Sequence, residues 1–299
     1  MTEKEILQRV SRSFYLTLRL LPRPMRAEAS LGYLLARATD TLADSAASDL
    51  PRRAEILRAA QASLDAPSIA GYDPAGWTDG LRDAAERCLL SELPALWRRM
   101  HAAEEGTRGR LRCVLGHILE GQLIDLERFG ADAGPLGDDE LQRYIYLVAG
   151  SVGEFWTDLC AARLGVFASA PLEVMRHRGR AYGEGLQLVN ILRDRAMDAA
   201  LGRCYVVVSD VPRWRKRASH LLDEGGSWCV AVRPGRLRYA SLLPALLGFR
   251  TLALSSAADE GALTPRKVSR GEVRRWMWRA LPVWASADAV PRLVSAVRT

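Results

Sequence analysis

Two pairs of carboxylates stand out by type and spacing. Asp40 and Asp44 lie four residues apart in GYLLARATDTLADSAA, and Asp194 and Asp198 repeat that spacing in GEGLQLVNILRDRAMDAA. Four residues are about one helical turn, so each pair shares a helix face. Like charges so placed repel in an isolated helix, and the arrangement becomes favourable only with a cation nearby. Arg37 lies on the first face. A lone D-x-x-x-D is ordinarily a solvated acidic patch. The second pair carries more information, because Leu186 to Leu192 is apolar apart from Gln187 and Asn190. Gln187, Asn190, Asp194 and Asp198 then form a polar stripe on what reads as a core helix. Buried amides and carboxylates are costly unless satisfied, and a structural polar network between helices is the competing explanation.

Aspartates facing each other across a helical cavity suit Mg²⁺, which keeps several waters and bridges to substrate phosphates. Bound metal makes a diphosphate a good leaving group. Ionisation of an allylic diphosphate leaves a carbocation, so the rest of the cavity must be dry. Leu34, Leu35, Leu188, Val189 and Ile191 can supply an apolar lining.

Helices are the elements available to position these groups. The segments 3–20, 25–47, 52–65, 78–102, 107–129, 138–164 and 171–199 are rich in Ala, Leu, Arg and Glu, with Gly and Pro gathered between them. Beyond Gly202 the pattern weakens. CYVVV reads as a short extended run and Glu224 to Ser227 as a turn, with helices resuming near 236–257 and 268–281. No strand alternation or repeat period is visible, which predicts one all-α domain over residues 1–299. Gly150 and Gly153 interrupt an otherwise good helical run; they mark a helix break, leave room for a substrate chain, or allow close helix packing. Phe155 and Trp156 read first as core, with a lining role as the alternative.

Composition narrows the class. The 299 residues are 48% hydrophobic and 26% charged, which excludes wholesale disorder. Five scattered cysteines, never in C-x-x-C spacing, argue against a disulfide scaffold or zinc site. The charged start MTEKEILQRV lacks the apolar stretch of a signal peptide, which predicts a cytoplasmic protein. The net charge of +7 is uneven: residues 201–299 hold 17 Lys and Arg against 7 Asp and Glu, while residues 1–200 hold 25 against 28. A basic C-terminal third can meet nucleic acid, an anionic membrane or a phosphorylated substrate. No DNA-reading motif accompanies it, so no nucleic-acid partner is expected. The apolar stretch Tyr239 to Ala258, broken by Pro244 and Arg250, is too interrupted to span a bilayer. It reads as a buried helix, or as a patch for peripheral contact with the inner face of a membrane.

Six segments taken in order carry a resemblance: Ser11-Arg12-Ser13-Phe14; Arg37 with Asp40 and Asp44; YIYLVAGSVG from Tyr144 to Gly153; QLVNILRD from Gln187; Asp194 with Asp198; and GRCY from Gly202 to Tyr205. Over approximately residues 8 to 275 the chain resembles the squalene and phytoene synthase family, the head-to-head trans-prenyl transferases. The resemblance implies the isoprenoid synthase type I fold, a helical bundle around a central apolar cavity. It implies that two farnesyl diphosphates condense to presqualene diphosphate, which rearranges to squalene with NADPH as reductant. Alternatives within the family are dehydrosqualene or phytoene synthesis, or a product that stops at presqualene diphosphate or hydroxysqualene; a non-catalytic paralogue is a third class.

The resemblance assigns Mg²⁺ to Asp40, Asp44, Asp194 and Asp198. It assigns substrate contacts to Arg12, Ser13, Phe14, Arg37, Gln187, Asn190, Arg193, Arg203 and Tyr205. Tyr144 becomes the catalytic tyrosine, able to steer a proton or steady a cation. One departure is Met197, where the family's second motif usually carries an acidic residue. The segment after Tyr205 departs as well.

Overall fold

The computed structural model describes residues 1–11, 14–45, 48–130, 134–254 and 268–298. It divides into two compact units, Met1–Arg19 with Arg23–Ala131, and Leu20–Pro22 with Asp132–Thr299. Among the described residues there is no strand, only an isolated antiparallel bridge between Ala168 and Val232.

The first unit contains α1 (Glu3–Ser11), most of α2 (Phe14–Leu20), α3 (Arg23–Ala43), α4 (Leu50–Ala62), α5 (Ala75–Thr78), α6 (Ala84–His101) and α7 (Glu105–Gly130). Asp49 caps α4 by accepting the Arg52 N–H, with Pro51 in the first turn; Asp83 caps α6 by accepting the Ala85 N–H. That cap starts α6 six residues later than the composition suggests. The central helix α3 packs on α4, α6 and α7. Leu34, Leu35, Leu42, Leu89, Leu93 and Trp97 are almost wholly buried there. Glu28, also buried on α3, accepts two hydrogen bonds from Arg110 of α7, at 2.7 and 2.9 Å. Such a pair is tolerated inside a protein because both its charges and its hydrogen bonds are matched.

The second unit contains α8 (Asp138–Ile145), a π-helical turn (Tyr146–Gly150), α9 (Ser151–Leu164), α10 (Leu172–Ala200), α11 (Val211–Ala231), α12 (Gly235–Leu254), α13 (Arg270–Arg279) and α14 (Ala289–Arg298). The expected helix over 138–164 is helical throughout but widens to π winding in the middle of the YIYLVAGSVG segment. The glycines of that segment serve close packing. A Cβ on Gly153 would lie 1.9 Å from the Gly179 carbonyl oxygen, and one on Gly183 would lie 2.0 Å from that of Ala149. Thus α9 and the π turn press backbone to backbone against α10.

Two expectations are corrected, and a third reading is settled in favour of the buried helix. Glu224–Ser227 is no turn: it lies inside α11, where Gly225 makes room for the Tyr182 ring, 2.4 Å from a hypothetical Cβ. CYVVV forms no strand; Tyr205 and Val206 are buried in an irregular link between α10 and α11. The most apolar stretch is a buried helix, α12, with Tyr239, Leu242, Leu246 and Phe249 enclosed, so its apolar side chains are not a membrane-facing patch. No helix among the described residues is long and apolar enough to cross a membrane.

Candidate active site

The first acidic pair sits at the end of α3. Asp40 belongs to its last turn, and Asp44 lies one residue past the end, where its N–H still donates to the Asp40 carbonyl at 2.9 Å. The two therefore keep the one-turn relationship expected of them. Arg37 binds the Asp40 carboxylate and also donates from Nη2 to Glu86 Oε1 of α6 at 2.7 Å. Its Nε–H is buried without a hydrogen-bond partner.

Glu86 was not singled out from the sequence. Three residues after the capping Asp83, it reads as an ordinary first-turn acid, and only the packing of α6 on α3 brings it to Arg37.

The Asp40 side chain keeps 44% of its surface open. Protein nevertheless surrounds the carboxyl closely enough that lost hydration, followed by the charges of Asp44 and Glu86, pushes it up to about 6 against the opposing pull of Arg37. Three carboxylates, Asp40, Asp44 and Glu86, are thus gathered around this helix end with Arg37.

The second pair lies on the last turns of α10. Arg193 grips the Asp194 carboxylate with two hydrogen bonds, Nε to Oδ1 at 2.8 Å and Nη2 to Oδ2 at 2.5 Å. That hydrogen bonding raises the Arg193 pKa further. Past Ala200 the chain reverses at Gly202, whose φ of +77° suits glycine, and the Arg203 N–H returns to the Asp198 carbonyl at 2.8 Å. The helix end is closed by the same GRCY segment that brings Arg203 back beside Asp198. Met197, in place of an acid, is exposed.

The polar stripe is less buried than its neighbours suggested. Leu188, Val189 and Ile191 take the packed faces of α10, leaving Gln187, Asp194 and Asp198 half-buried and Asn190 exposed. A closed network between core helices is therefore not what these residues form.

Tyr144 and Tyr205 come together as a buried stacked pair, with ring centroids 5.2 Å apart and planes inclined by 27°. Tyr144 lies on α8 just before the π turn, and Tyr205 follows the Gly202 reversal. Arg12 and Ser13 lie outside the described residues, as does the Phe14 side chain. Phe155 and Trp156 are half-buried rather than core, and Trp156 donates its indole N–H to Ser241 Oγ at 3.3 Å.

Among the described residues no three His, Cys, Asp or Glu side chains gather into a cage for a metal. Each motif instead presents two hard carboxylate donors. That is a fitting set for Mg²⁺, which retains waters and shares its shell with substrate phosphates. The crowding of Asp44 and Glu86 that helps to raise Asp40 fits the same ion.

Among the described residues the fold is built of helices, with a carboxylate pair at the end of each of two of them, which places the chain among all-α proteins with paired acidic helix ends. Residues 7–213 match the family described as squalene/phytoene synthase, and the chain belongs to that family. Its members are prenyltransferases.

The chain is 30% identical over 258 residues to a presqualene diphosphate synthase of Rhodopseudomonas palustris, covering 83% of this chain and 73% of that protein. It is 30% identical over 214 residues to a bifunctional lycopene cyclase/phytoene synthase of Colletotrichum graminicola, covering 67% of this chain and 33% of that one. To a squalene synthase of Cyberlindnera jadinii it is 27% identical over 240 residues, 76% of this chain and 51% of the other. The chain thus spans a third to a half of these last two relatives. Among solved structures, a complex of TcSQS with the ligand BPH1237 superposes with a TM-score of 0.78 at 19% identity, covering 99% of this chain and 89% of that one. A liganded dehydrosqualene synthase gives 0.60 at 19% identity, covering 99% and 95%. These likenesses establish the all-α isoprenoid synthase fold.

Proposed function

We propose that this chain joins two farnesyl diphosphates head to head, forming presqualene diphosphate, and carries that intermediate on to squalene. The observation that supports this most is that each acidic helix end holds an arginine bound to its leading aspartate: Arg37 on Asp40, Arg193 on Asp194. Such an end offers carboxylates to a divalent ion and guanidinium N–H groups to diphosphate oxygens.

In this reading Asp40, Asp44, Asp194 and Asp198 would hold Mg²⁺, which would supply positive charge to the departing diphosphate. Arg37 and Arg193 fix the aspartate rotamers and turn their remaining N–H groups to phosphate oxygens. Arg203, held near Asp198 by its own backbone, adds a further cation. Tyr205 buttresses Tyr144, whose ring face steadies the developing cation and whose hydroxyl steers the proton lost on cyclopropane closure. Arg12, Ser13, Phe14, Gln187 and Asn190 complete the substrate contacts. NADPH would supply the hydride for the final reduction to squalene.

A second reading, in which presqualene diphosphate is the end product, is favoured by the Rhodopseudomonas relative, which matches over most of both chains. Incubation with farnesyl diphosphate and Mg²⁺, with and without NADPH, separates the two by product mass. Squalene only with NADPH supports the first, and presqualene diphosphate under both conditions supports the second. No product from farnesyl diphosphate, or turnover unchanged in Asp40→Asn and Asp194→Asn, overturns both.

A further inference from the structure

The middle of α10 buries a charged side chain that the reaction above does not use. Glu184 is 3% exposed, and its carboxylate accepts a hydrogen bond from Arg180 Nε, one turn earlier, at 2.8 Å. Arg180 itself reaches the surface, with 45% of its side chain open. A solvated arginine pairs just as well with a solvated glutamate, whereas burying a carboxylate costs free energy that its contacts have to offset.

Those contacts are with the π turn. A Cβ on Gly150 would meet Glu184 Cγ at 3.0 Å and Oε1 at 3.2 Å, so Glu184 fills the space a side chain would need there. The Arg180 guanidinium lies over the Tyr146 ring, 4.3 Å from its centroid. The Tyr146 hydroxyl in turn donates to Glu154 Oε2 of α9 at 3.1 Å. Tyr146 and Gly150 are the first and last residues of the turn, so the pair on α10 holds both of its ends.

What is held there has a geometric consequence. Winding of the π type is rare, and it takes in one residue more than an α turn. That extra residue rotates the side chains before it by about 100° relative to those after it. After the turn, α9 presents Gly153 to Gly179; before it, Tyr144 faces Tyr205 with 5.2 Å between ring centroids. One continuous run of helix meets both demands only with the extra residue in place. With α9 fixed by its glycine contact, relaxation of the turn to α winding would swing Tyr144 off Tyr205.

We propose that Glu184 and Arg180 are positioning residues, which hold Tyr146–Gly150 in π winding and thereby aim Tyr144 at Tyr205. The effect on turnover rests on the role given to Tyr144 under the proposed function; the geometric part does not.

Fluorine NMR of the full chain labelled with 3-fluorotyrosine reads the geometry without any substrate. The chain has eight tyrosines, and the Tyr144 signal is the one lost in Tyr144→Phe. Glu184→Leu removes the acceptor while filling the space, and Arg180→Met removes the cation from a partly exposed site, so either variant carries the test if the other fails to fold. Each should displace the Tyr144 signal and leave that of Tyr72, in the first unit, unmoved. Glu184→Gln, which keeps the shape and an acceptor oxygen, should displace it less. Turnover reads the consequence: in Glu184→Leu, kcat with farnesyl diphosphate should fall about tenfold to a hundredfold with KM little changed. Added to Tyr144→Phe, the same substitution should cost no more than about twofold, because the residue it acts through is already altered. A Tyr144 signal that stays in place in both variants overturns the proposal, as does a loss of kcat undiminished in the Tyr144→Phe background. A displaced signal with unchanged kcat upholds the positioning of Tyr144 and removes that tyrosine from the reaction instead.

Discussion

Gly153 of α9 and Gly179 of α10 meet backbone to backbone, leaving no room for a Cβ on either: Gly153 would place one 1.9 Å from the Gly179 oxygen, and Gly179 one 2.6 Å from the Gly153 oxygen. This contact fixes α10, which carries the second aspartate pair, against the helix that continues from Tyr144.

Substitution at that contact should therefore act through packing. Gly153→Ala is expected to lower stability by roughly 1–3 kcal/mol or more, because the neighbour that must yield is backbone. Gly226→Ala is the control, since its Cβ would meet only Val294 Cγ2 at an ordinary 3.7 Å and its helix gains up to about 1 kcal/mol. Urea denaturation should show the midpoint falling for the first variant and holding or rising for the second.

If Asp40 holds a divalent ion as proposed, its raised pKa should make that binding depend on pH. In the metal-free chain the folded state holds this proton more tightly than the unfolded one, so the group's contribution to stability falls as pH rises from its ordinary 3.8 towards about 6. A divalent ion competes with the same proton. The thermal shift produced by Mg²⁺ should be small at pH 5, grow through pH 6 and level above pH 7. In Asp40→Asn this pH dependence should flatten.

Glu86 tunes that midpoint. Its charge helps to raise Asp40 while it shares the Arg37 guanidinium. In Glu86→Gln, Arg37 is left to Asp40 and one repulsion disappears, so the Mg²⁺ response should begin at lower pH than in the unaltered chain. A midpoint unmoved or displaced upward would show that Glu86 does not act on Asp40.

The stacked tyrosines can be separated by chemistry. Tyr205→Phe keeps the ring over Tyr144 and should leave stability within about 1 kcal/mol. Tyr205→Ala empties a buried aromatic site and should cost roughly 3–5 kcal/mol. If Tyr144 guides a proton, Tyr144→Phe should lower kcat with little change in KM for farnesyl diphosphate, a split that a packing role would not produce.

The long helices of both units were legible because their Ala, Leu, Arg and Glu content and their Gly and Pro breaks act locally. The aspartate pairs were legible for a similar reason: a spacing of four sets a shared helix face wherever the helix goes. The misread segments show where local rules fail. EGGS at 224–227 has the composition of a turn, yet α11 runs through it because Gly225 accommodates Tyr182. Gln187 and Asn190 sit among leucines, but the sequence could not say which face of α10 the neighbouring helices would cover.

The amino-acid order alone thus determined the helical class, the two carboxylate pairs, their arginines and the family, because each depends on residue type and short-range periodicity. Tertiary structure decided the rest: that Glu86 reaches Arg37, that Tyr144 stacks on Tyr205, that glycines seat α9 on α10, and that α12 is buried. Each of these depends on which surfaces meet across long sequence separations, and residue spacing does not encode those meetings.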